Sequence, residues 1–130
     1  MALTITGLYA GLLGIIMVVL LGNVGRLRSQ KGVSLGDNGD RDLVIANRQH
    51  MNFVECVPLA LILLAVVEAN GAPRGWVHTL GIVLLVSRLV HPFGINPATM
   101  NTVCRIAGSG GTILMVIAAA LTALWQFVRP

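Results

Sequence analysis

Apolar residues gather into four runs, separated by short polar intervals. The first extends from about Ala2 to Val24 and holds no charged residue. Twenty or so residues carry a helix across the hydrocarbon core. The second runs from about Arg41 to Ala69, polar in its first half and apolar in its second. The third is short, from about Trp76 to His91, and Pro92 is expected to stop it. The fourth covers about Thr102 to Val128, with Trp125 placed as an interfacial anchor. The pattern predicts an all-α integral membrane protein, a four-transmembrane-helix up-down bundle with short connections, forming one domain over residues 1–130. A β-barrel would alternate apolar and polar positions along each strand, which these runs do not.

The intervals carry turn chemistry. Gly25 to Asp40, GRLRSQKGVSLGDNGD, is rich in Gly, Asn, Asp and Ser and is expected to be a loop. A calcium loop fails because Arg48 stands where the bidentate glutamate is needed. Asp40 is expected to cap the second helix. Pro58 lies inside that helix and removes one backbone donor. NGAPRG makes the second turn and PFGINPATMN the third. Gly7, Gly11 and Gly14 share a face of the first helix, and Gly108, Gly110 and Gly111 lie on the fourth. Both sets are expected to let helices approach closely.

Composition agrees with the hydropathy: 55% of the 130 residues are hydrophobic and 11% charged, about half the charge of a soluble domain. The net charge of +4 comes from scattered basic residues without interleaved aromatics, so nucleic acid is a poor partner. Arg26, Arg28, Lys31 and Arg41 flank the first loop against Arg74 in the second. That asymmetry predicts cytoplasmic first and third loops. The basic residues follow the first apolar run, so it is expected to be a retained span. Cys56 and Cys104 show neither metal-ligand nor disulfide spacing and are expected to be packed thiols; no metal site is expected.

Ionisable residues within spans are costly and tend to be functional. Arg48, Asn52 and Glu55, at i, i+4 and i+7, fall within an arc of roughly 60°. Arg88 and His91 share a face of the third helix, and Arg105 opens the fourth. With alternating helix directions, all three sets reach the same end of the bundle. The expectation is an arginine-rich pocket with one buried carboxylate, Glu55, open to the cytoplasm. Guanidinium groups pair carboxylates bidentately, and the glutamate offers a place for an ammonium, so a small zwitterionic peptide would suit both. The plain structural alternative is a set of buried ion pairs that tie the helices together. His50 lies off this stripe, and His78 and Glu68 belong to the far end, where a water-interface setting is expected.

The run RQHMNFVECVPL, with Arg48, Asn52, Glu55 and Pro58, resembles the signature of the MAPEG family, the membrane-associated proteins in eicosanoid and glutathione metabolism. SRLVHPFGI resembles the family's third-helix segment, and the likeness covers nearly the whole chain, closest to short bacterial members. The resemblance implies a homotrimer in the bacterial inner membrane, binding glutathione as co-substrate between subunits. It implies that Arg48, Asn52 and Glu55 contact glutathione, that Arg88 and His91 line the site, and that Arg105 stabilises the thiolate. Either Arg26 or Arg28 would reach a glutathione carboxylate. The implied activity is a glutathione transferase or peroxidase acting on lipophilic electrophiles that arrive through the lipid bilayer. Cys56 and Ile95 stand where many members carry tyrosine. Two other functions stay open: a small proton-coupled exporter using Glu55, and a non-catalytic membrane scaffold.

Overall fold

The computed structural model describes residues 2–95 and 102–129. Four long helices run through it: α1, Thr4–Lys31; α2, Arg41–Ala69; α3, Arg74–Val90; and α4, Val103–Val128. A single 3-10 turn, His91–Gly94, follows α3. Of the expected third loop, residues 96–101 lie outside the described residues. All four helices are long and apolar enough to cross a membrane, the third counted with its 3-10 turn.

Two boundaries depart from the hydropathy reading. α1 does not end near Val24 but runs on to Lys31, so half of the expected first loop is helix. Hydropathy marks where lipid contact ends, whereas a helix continues as long as its residues favour it and its face is packed. Val24 and Leu27 are buried against Val33, Leu43 and Ala46, which holds this extension to α2. Gly32 then ends the helix at φ 65°, its N–H bonded to the Arg28 carbonyl. α3 likewise starts earlier, at Arg74.

Asp40 caps α2 as expected, its Oδ1 accepting the N–H groups of Asp42 and Leu43 at 3.0 Å. Its other oxygen pairs with Lys31, closing the α1–α2 loop. That ammonium, by its hydrogen bond, holds the Asp40 carboxyl below the ordinary carboxylate range. α2 continues unbroken through Pro58. Thr102 caps α4, its hydroxyl accepting the Arg105 N–H and donating to the Gly94 carbonyl.

Consecutive helices run antiparallel. At one end the Glu68 carboxylate of α2 meets the start of α1, and Trp76 of α3 donates to Thr122 of α4. The core joins all four helices through Leu13, Phe53, Leu64, Leu80, Leu84 and Met115. Among the described residues close approach is concentrated at four glycines, Gly81, Gly94, Gly108 and Gly111. A Cβ on Gly81 would overlap the Tyr9 ring, and one on Gly108 or Gly111 would collide with His91 or Ser87. Gly110 has open space beside it, so two of the three fourth-helix glycines act as expected. Gly7, Gly11 and Gly14 meet nothing within 4 Å; within the protomer they serve no helix contact.

Candidate functional site

The polar residues of α2, α3 and α4 gather at the end that carries the α1–α2 loop. Arg88 stands at their centre and is 2% exposed. One guanidinium nitrogen, Nη1, donates to the Asn52 side-chain oxygen at 2.9 Å. The other, Nη2, donates to the Gly108 carbonyl at 2.8 Å. One side chain thereby joins three helices. The Gly108 carbonyl also accepts from the Thr112 hydroxyl at 2.9 Å. Among the described residues Arg88 Nε has no hydrogen-bond partner, and Cys56 lies beside the guanidinium.

His91 is buried in the 3-10 turn, within the electrostatic reach of Arg88, Arg105 and Arg48. The sequence-predicted convergence of these arginines and the histidine is therefore present. Gln49 adds a tie that sequence reasoning missed: its amide donates to the Pro92 carbonyl at 2.8 Å and fastens α2 to the turn. Its only sequence signal was its place beside Arg48, on the flank nearer the core.

The expected buried carboxylate is a different matter. Glu55 is exposed, as is Arg48, and among the described residues neither takes part in an ion pair. The reason is angular. The buried face of α2 runs through Leu43, Ala46, Phe53, Val57 and Ala60. The Arg48–Asn52–Glu55 stripe lies roughly 150° round the helix from it. The buried charge is Arg88, and the stripe is an open face with Asn52 at its inner edge. Within the protomer, then, Arg48 and Glu55 are not buried partners.

Arg26 and Arg28 separate in the structure. Arg28 donates to the Ser34 carbonyl at 3.2 Å and to Asn47 at 3.5 Å, within the α1–α2 corner. Among the described residues Arg26 bonds only to side chains of its own helix, Asn23 at 2.9 Å and Gln30 at 3.2 Å. It borders an open cleft of about 530 Å³ shared with Gln30, Lys31, Asp42 and Gln49. Arg105 is half-buried, its backbone packed against Gly94.

The remaining candidates lie elsewhere. His50 is half-buried outside the cluster. His78 sits at the opposite end, where the Tyr9 hydroxyl lies 3.1 Å from its Nδ1 and donates to its carbonyl at 3.2 Å. Glu68, at that same end, accepts the backbone N–H groups of Ile5 and Thr6 at the start of α1. Cys56 and Cys104 are free and half-buried. An apolar groove of about 230 Å³ between α1 and α2, lined by Ala10, Gly14, Phe53 and Pro58, opens away from the polar stripe.

The comparisons follow the same outline. The chain is 36% identical over 121 residues to the inner membrane protein YecN of Escherichia coli K12, covering 93% of this chain and 91% of that protein. YecN of Escherichia coli O6:H1 strain CFT073 gives the same identity and coverage. No solved structure matches. The four spans and these relatives make it an integral protein of the inner membrane. The MAPEG family model matches residues 6–125, from the first turn of α1 to the last of α4. With that match spanning every helix and the site between them, the chain belongs to the MAPEG family.

Proposed function

We propose that the protein binds glutathione and acts as a glutathione transferase or peroxidase on lipophilic electrophiles, as a homotrimer with its α1–α2 loop in the cytoplasm. The observation that carries this reading is the open stripe on α2. It presents a cation, an amide and a carboxylate over seven residues, a rise of roughly 10 Å. That series complements a short peptide with a carboxylate at one end and an ammonium at the other. Arg48 and Glu55 at the edge of a membrane span need a second wall that keeps them from lipid. A neighbouring subunit would supply it and close the site.

In this reading Arg48, Asn52 and Glu55 hold the peptide, and His91 closes the site from the α3 side. Arg105 holds the sulfur as a thiolate by charge. The thiolate's electron pair forms the new S–C bond, and the leaving group departs with its own pair. With a hydroperoxide, two glutathione molecules would give the alcohol, water and glutathione disulfide. No protein nucleophile is needed, so the protein's part is positioning and electrostatics. Arg26 or Arg28 would take a second glutathione carboxylate. The exporter reading is less well supported, since Glu55 stands at one end among arginines and Glu68 is spent on α1.

The test is a glutathione titration in mild detergent, reading the ultraviolet thiolate absorbance at neutral pH for wild type and Arg105→Ala. A wild-type signal that the variant lacks supports the transferase reading. No binding at millimolar glutathione overturns it.

A further inference from the structure

Arginine carries hydrogen-bond donors and no acceptor. A carboxamide next to a buried arginine must therefore turn its oxygen inward. Asn52 does so, with Arg88 Nη1 donating to its Oδ1 at 2.9 Å. The choice between the two amide orientations, ordinarily ambiguous, is settled here by chemistry. Its Nδ2, with two N–H donors, donates to nothing among the described residues and is not enclosed as a buried orphan. Asn52 is half-buried, between the covered Arg88 and the exposed Arg48 and Glu55.

Arg88 itself is out of a ligand's reach. It is 2% exposed, and its Nη2 is anchored to the Gly108 carbonyl at 2.8 Å. That second bond fixes the guanidinium plane, and through it the plane of the Asn52 amide. An asparagine without such a neighbour could offer either its oxygen or its nitrogen to a ligand. With its oxygen turned inward to Arg88, this one presents its N–H groups outward.

We infer that Arg88 is a positioning residue that sets the polarity of Asn52, so that the site demands an acceptor oxygen midway between the groups held by Arg48 and Glu55. In a bound peptide that acceptor is a backbone carbonyl. The inference rests on the glutathione reading and narrows it: the site recognises an oxygen in the middle of the molecule as well as charges at its ends. A ligand with matching end charges but a donor or a methylene at that place would be rejected.

Calorimetric titration in detergent would compare glutathione with two analogues, each with one peptide carbonyl oxygen replaced by sulfur, a weak acceptor that leaves the amide neutral. Wild type should bind one of the two about tenfold more weakly than glutathione, the effect of one hydrogen bond largely lost in an enclosed site. Asn52→Ala should bind glutathione and that analogue alike. Arg88→Gln frees the Asn52 amide to flip and should shrink the preference to about twofold. Arg88→Lys, again a donor without an acceptor, should restore most of it. If Arg88→Gln folds and keeps the full preference, or if wild type never distinguishes the analogues, the inference is overturned while the glutathione reading stands. If wild type binds none of the three, both fall. Asn52→Asp guards against an unfolded Arg88 variant. It keeps an oxygen for Arg88 and loses the outward donors, so it should melt no lower than wild type yet bind glutathione at least tenfold more weakly. Unchanged binding there also overturns the inference.

Discussion

Glu68, in the last turn of α2, accepts the backbone N–H of Thr6, in the first turn of α1, at 2.7 Å. Its other oxygen takes the Ile5 N–H at 2.9 Å. Leu3, at the N-cap of α1, makes no side-chain cap, and a carboxylate 62 positions away does the capping. Replacing Glu68 with alanine is expected to cost about 1–2 kcal/mol, the range for losing a helix cap. The checking measurement is amide hydrogen exchange at Ile5 and Thr6, which should speed up in Glu68→Ala before any other part of α1 responds.

Gly108 and Gly110 are two residues apart but differ in what surrounds them. A Cβ on Gly108 would collide with His91 and the Ser87 carbonyl, whereas one on Gly110 meets open space within the protomer. Gly108→Ala should destabilise the protein by about 1–3 kcal/mol through overpacking. Gly110→Ala should leave the melting temperature unchanged or slightly raised, since alanine favours a helix. Thermal unfolding in detergent, with the two variants run together, separates the outcomes; an equal effect would contradict the close contact of α3 and α4.

Glu55 separates binding from folding. It is exposed and unpaired among the described residues, so Glu55→Gln should change stability by no more than about 0.5 kcal/mol. The same change should weaken glutathione binding by tenfold or more, because the ammonium loses its charged partner. Unaltered glutathione affinity would favour a scaffold that has kept the fold without the chemistry.

The α1–α2 loop should be acid-sensitive. Lys31 holds the Asp40 carboxyl below its ordinary value. A carboxylate depressed in the folded state contributes stability above its unfolded pKa, near 4, and that contribution is lost as pH falls through the lower folded value. Protease nicking of the loop should rise below about pH 4 in the wild type. In Asp40→Asn nicking should be raised already at neutral pH and change little on acidification.

Much of this architecture was legible in the residue pattern. Four apolar runs gave four helices, and the alternation of direction brought Arg48, Arg88, His91 and Arg105 to one end. What the pattern could not give was the rotation of α2. In water, polarity tells which side of a helix faces out. In a membrane, core and lipid are both apolar, so spacing groups Arg48 with Glu55 without showing whether they point in or out. The end of α1 was hidden for a related reason: Leu27 is held by Leu43 and Ala46, contacts that exist only after the chain has turned back. The Glu68 cap was equally invisible, since its partner is a backbone 62 residues earlier.

The three-helix reach of Arg88 bears on how the protein is made. Its two acceptors lie on either side of it in the chain: Asn52 is synthesised before it and Gly108 after. An α3 that entered lipid alone would bring a bare guanidinium with it, at a cost of up to about 3 kcal/mol. α3 is also the least hydrophobic of the four spans, with a mean hydropathy of 1.4 against 1.9 to 2.3 for the others. Its insertion is therefore expected to depend on a helix the ribosome has not yet finished. A nascent chain stopped before α4 should hold α3 poorly in the bilayer, and the same chain with Arg88→Leu should hold it well. Glycosylation mapping of the two truncated chains would read the difference, and equal insertion would show that α3 needs no helix but its own.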